Sequence, residues 1–74
     1  SDLDEITLSK GVYYIDNDLN DAKKVFDKLI KKKNISTETL IAAYYWRGVV
    51  NLKMKNIEEA KSDFTTVANS VDKE

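Results

Sequence analysis

From Leu19 the apolar positions of the chain are Leu19, Ala22, Val25, Phe26, Leu29 and Ile30, a spacing that gathers them on one face of a helix and shows no strand-like alternation. The same spacing returns in Ile57, Ala60, Phe64, Val67, Ala68 and Val71. Each stripe opens beside a capping signal, Asp18 with Asp21 three residues on and Asn56 with Glu59 three residues on, where a side-chain oxygen can take up free backbone N–H groups. The first stripe closes in Lys31, Lys32, Lys33 and Asn34, cations suited to the carbonyl end of a helix dipole. Another apolar segment precedes each stripe, Ile6 to Ile15 and Leu40 to Met54, with Ser36 or Thr37 available to cap the second. Val12 to Ile15 and Leu40 to Trp46 are rich in β-branched and aromatic residues and offer a strand alternative. With no Pro and only 2 Gly, helix is the default. The pattern predicts four helices, over Asp4 to Asp16, Leu19 to Lys33, Thr37 to Lys55 and Ile57 to Val71.

Sliding the chain on itself by 38 places pairs Leu19 with Ile57, Ala22 with Ala60, Lys23 with Lys61, Phe26 with Phe64 and Leu29 with Val67. The preceding segments align at 37, which matches Gly11 with Gly48 and Val12 with Val49 and implies a turn one residue longer in the second copy. Each copy reads as a helix, a tight turn and a second helix, and neither hairpin can bury its apolar faces alone.

In the second copy Tyr44, Gly48, Ala60, Phe64 and Val67 keep the spacing of a tetratricopeptide repeat (TPR), which the chain resembles over nearly its whole length. The run Ala43-Tyr44-Tyr45-Trp46 before Gly48 also resembles repeats of bacterial envelope TPR proteins. The resemblance implies an all-α fold of antiparallel helical hairpins of α-solenoid type, with a first repeat over about 4–34 and a second over about 37–72. It implies Gly48 near Ala60 with Phe26 and Phe64 buried; Trp46, a large aromatic in a small domain, is expected to pack toward the second helix. The first copy departs from the family pattern by placing Gly11 eleven rather than twelve residues before Ala22. Arg47 stands where the family carries Leu, Asn51 where it carries an aromatic, and no Pro closes either repeat. An up-and-down four-helix bundle is the structural alternative.

Composition narrows the function. The chain has 74 residues, one small domain at most, and neither Cys nor His, which removes thiolate and imidazole chemistry and nearly every transition-metal site. A net charge of -1 supplies no broad pull toward nucleic acid. The longest apolar run, Leu40 to Trp46, is far shorter than the roughly 20 residues a membrane span needs, so the chain reads as soluble. A first residue Ser is what a mature or trimmed fragment would show, and the compartment, cytoplasmic or bacterial periplasmic, does not follow from the sequence. Asp16 to Asp21 with Asp27 echoes a calcium loop, but Asp21 occupies the position of the obligatory Gly, so the segment reads as a capped turn. Glu58 with Glu59 suits a helix dipole better than acid–base work, and Ser9 and Ser62 lack an activating base. The sequence thus predicts no enzyme, no cofactor and no metal.

What remains is a surface. On the third helix Ala42, Tyr45, Val49 and Leu52 form a stripe that the TPR resemblance implies lies on the concave side, with Glu5 or Thr7, according to register, and Leu8, Val12 and Ile15 as counterparts on the first. These residues lack the Lys and Asn set with which chaperone-binding TPR domains clamp a carboxylate. The expected activity is binding of a protein or peptide partner through this groove. The alternative is a structural element whose uncovered faces, including Ile57, Phe64, Val67, Ala68 and Val71, build a longer array or a self-associated oligomer.

Overall fold

The computed structural model describes residues 1–71, so Asp72, the expected end of the second repeat, lies outside the described residues. The chain is all-α: α1 (Asp2–Ile15), α2 (Leu19–Lys31), α3 (Thr37–Lys53) and α4 (Ile57–Val71), with no strand among the described residues. Val12 to Ile15 and Leu40 to Trp46 are helical throughout.

The helix ends follow local chemistry. Asp2, Asp4 and Glu5 lie in the first turn of α1, where carboxylates complement the dipole and carry the helix back past its expected start. Asp18 caps α2 by accepting from Asp21 N–H at 3.1 Å, and Ser36 caps α3 by accepting from Thr39 N–H at 3.2 Å. α2 stops at Lys31, two residues short of the expected end, because Lys32 turns into extended backbone at ψ 134. α3 stops at Lys53, where Lys55 adopts the left-handed region at φ 66. Lys55 N–H then donates to Leu52 O at 3.0 Å and Asn56 N–H to Asn51 O at 2.8 Å, the paired bonds of a Schellman close with Lys in the place Gly usually takes. The two intrahairpin connections have equal length, Asp16 to Asp18 and Met54 to Asn56. The extra residue of the second copy therefore extends α3 and not the turn.

In each hairpin the two contacting helices are joined by so short a connection that they run antiparallel. α2 lies between α1 and α3, α1 also touches α3, and α4 touches α3 alone. No contact links α1 with α4 among the described residues, so the helices form an open row and not a closed bundle. Ile15, Ala22, Phe26, Leu29, Ala43 and Val50 make the buried core, with Leu8, Val12, Leu19, Ile30, Ile35 and Trp46 packed against it.

The two glycines fix the closest approaches. A methyl carbon on Gly11 would stand 2.6 Å from Phe26 Cε1, and one on Gly48 would stand 2.7 Å from Phe64 Cε1. Only a bare backbone admits either ring. The three atoms nearest such a methyl on Gly48 all belong to the Phe64 ring. Phe26 is fully buried but Phe64 is only half-buried, contrary to expectation, because α2 is covered by both α1 and α3 whereas, among the described residues, α4 meets α3 alone.

Candidate interaction surfaces

The matching glycine contacts set the two hairpins in a common register, so each residue can be compared with its counterpart. In α1, Ile6 is 64% and Tyr13 67% exposed, whereas their counterparts in α3, Ala43 and Val50, are both 0% exposed. The relation reverses at the other end of the row. Leu52 of α3 is 51% exposed, while Ile15, its counterpart in α1, is 9% exposed. Val67 is half-buried where Leu29 is buried, and Ala68 exposed where Ile30 is half-buried. The row thus ends in two different apolar faces. One, on α1, carries Leu3, Ile6 and Tyr13; the other, on α3 and α4, carries Tyr45, Leu52, Ile57 and Val71.

The residues of the expected groove divide accordingly. Ile15 belongs to the core, and Leu8 and Val12 pack against it. Ala42 and Val49 are half-buried and Tyr45 and Leu52 exposed. Tyr45 rests near Trp46 and Phe64, with ring centroids 5.1 and 5.8 Å away. The open part of the stripe lies on α3, next to α4. Trp46 packs against the cluster that holds Phe26 and Leu29 of α2.

A polar network ties this face to the rest of the molecule. Arg47 of α3 donates from Nε and one terminal nitrogen to both oxygens of Asp63 on α4, at 3.0 and 2.7 Å. Its other terminal nitrogen donates to Asp27 Oδ1 on α2 at 3.0 Å. Asn51, fully buried, donates to Asp63 Oδ2 at 3.0 Å and accepts from Asn56 Nδ2 at 3.4 Å. Hydrogen bonds to Asp63 and then Asp27 raise the Arg47 pKa still further above its ordinary value against the opposing effect of burial, so the guanidinium is a permanent charge. Arg47 and Asn51, one turn apart on α3, both bind the same buried carboxylate. Sequence reasoning missed Asp63. Its signal was a carboxylate set inside the apolar stripe, three residues after Ala60 and four before Val67. Asn56 turns its amide nitrogen to Asn51 Oδ1.

At the opposite end, Leu3, Asp4, Thr7, Lys28, Leu29, Lys31 and Lys32 line an open cleft of about 470 Å³. Its buried carboxylate, Asp4, pairs with Lys32, whose hydrogen bond lowers the Asp4 pKa against the cost of desolvation. Among the described residues no cluster of carboxylates is placed to hold a metal ion, and no helix is long and apolar enough to cross a membrane.

Compared with protein-family models, with curated proteins and with solved structures, the chain matches none.

Proposed function

We propose that the chain is a non-catalytic protein-interaction module of two TPR-like hairpins that accepts an apolar helix or peptide of a partner. The observation that carries this reading is the exposure of Tyr45 and Leu52 beside half-buried Ala42 and Val49 on a face held in place by the Arg47 network. Large apolar side chains exposed together on a rigid element favour association, and an aromatic anchor suits a binding hot spot. Leu8, Val12 and Ile15, expected to line the groove on α1, belong to or pack against the core cluster. The non-catalytic part rests on composition, since the chain has neither Cys nor His, and among the described residues no cluster of carboxylates is placed to hold a metal ion.

Selection from a displayed library of random helical peptides tests the proposal. The wild-type chain should enrich amphipathic helices, and a Tyr45→Glu, Leu52→Glu variant that keeps its helical circular dichroism should bind them at least about tenfold more weakly. Enrichment of nothing, or equal binding by the variant, would contradict it. A second reading, a structural element of a longer stack, is favoured by the reciprocal exposure of α1 and α4.

A further inference from the structure

We infer that the α3–α4 face of one molecule receives α1 of a second copy of this chain, in the register by which α3 packs on α1 and α2 within each molecule. The inference rests on the interaction-module reading and names its partner. Three observations carry it.

The first is reciprocity. Ile6 and Tyr13 occupy the positions of Ala43 and Val50, through which α3 enters the core, yet in α1 they face solvent. Leu52, Phe64 and Val67 occupy the positions of Ile15, Phe26 and Leu29, which α3 helps to cover, yet they are open or half-open. Each end of the row is the half of an interface whose whole already exists at its centre. Two different, complementary faces make a heterologous contact, which repeats from copy to copy and does not close on itself.

The second is volume. Inside the molecule, small Ala43 and Val50 share a cluster with Leu29, and Ile30 packs against it. At the ends the sizes are exchanged: α1 offers the larger Ile6 and Tyr13, and α4 the smaller Val67 and Ala68. Interiors close-pack only when total volume is kept, and this exchange works in that direction.

The third is the polar link, which marks where the proposed junction between copies differs from the one within. The bridge from Arg47 to Asp27 joins α3 to α2. In the register of the repeat Lys10 stands for Arg47 and Thr65 for Asp27, so the junction between copies lacks an ion pair. Both Lys10 and Thr65 are exposed and can be altered without touching the core.

Sedimentation of the 74-residue chain over an about hundredfold concentration range tests this, since association must follow mass action. The wild type should form species that grow without a fixed end point. An Ile6→Glu, Tyr13→Glu variant and an Ala68→Glu, Val71→Glu variant should each be monomeric, and their mixture should form a one-to-one complex and nothing larger. Thr65→Asp should tighten association about tenfold and Thr65→Lys weaken it, with neither changing the circular dichroism of the monomer. A closed dimer that survives in either double variant would overturn the inference, as would indifference to both Thr65 substitutions. A monomer at every concentration that still takes an apolar helical peptide would overturn the second-copy partner and leave the module reading standing. If neither copy nor peptide binds, both fall.

Discussion

Gly11 and Gly48 stand in the same relation to Phe26 and Phe64, yet their replacement by Ala is expected to differ in cost. In a helix interior the change from Gly to Ala gains about 1 kcal/mol of intrinsic propensity. At Gly11 the new methyl meets a ring that is fully buried and has nowhere to go, so overpacking wins and the variant loses about 1–2 kcal/mol. At Gly48 the half-buried Phe64 ring can swing outward, and the two effects cancel to within about 0.5 kcal/mol. The larger Gly48→Leu substitution costs about 1–3 kcal/mol. Urea denaturation measures all three; equal losses for the two Ala variants would show that Phe64 is as fixed as Phe26. Lys55, at φ 66, gives the opposite sign: Lys55→Gly relieves a strained backbone and raises stability by roughly 0.5–1 kcal/mol. The recurrence of Gly11 at Gly48 and of Phe26 at Phe64 was legible in the sequence, but their contact was not, because spacing along the chain does not say which side chain fills the space a glycine leaves. Nor was the strain at Lys55, because a Lys between two helices gives no sign that the chain turns left-handed there.

Between elements, the polar groups decide how the hairpins are held. Arg47 joins α2, α3 and α4 through Asp27 and Asp63, and removing it strands a buried carboxylate. Arg47→Leu alone is expected to cost about 2–4 kcal/mol. Replacing Arg47, Asn51 and Asp63 together by Leu removes the buried charges as a set and should return to within about 1 kcal/mol of the wild type. A triple variant as unstable as the single one would show that the network does more than satisfy itself. Asp4 and Lys32 join the start of α1 to the end of α2, and their pairing predicts a pH dependence. The folded pKa of Asp4 lies below the ordinary 3.8, so its contribution is complete above that value and is lost as pH falls through the lower folded pKa. Asp4→Asn should therefore flatten the dependence of the urea midpoint on pH below about 4 while leaving its shape near neutrality unchanged. The four helices, their order and two of their caps were readable from apolar spacing and cap residues. The network was readable only as two departures from a pattern, because a buried ion pair is a property of three helices at once and no single stripe encodes it.

At the scale of the whole molecule, the governing feature is that two copies of one hairpin do not have equivalent surroundings. α2 is covered on both sides, while among the described residues α4 is covered by α3 alone. The sequence shows the repeat and both apolar stripes. It does not show which stripe is spent inside, since Leu8, Val12 and Ile15 read like Tyr45, Val49 and Leu52 until α3 is placed over the first set. That asymmetry leaves the α1 face and the α3–α4 face open as complementary halves. A melting temperature that rises with protein concentration follows directly. The most direct test is an isotope-filtered nuclear Overhauser experiment on a concentrated mixture of labelled and unlabelled chains, which records only contacts between molecules. The stacking register predicts cross-peaks from Tyr13 and Ile6 of one copy to Val67, Ala68 and Val71 of another. Contacts of Tyr13 with Tyr13, or none between molecules at millimolar concentration, would contradict it.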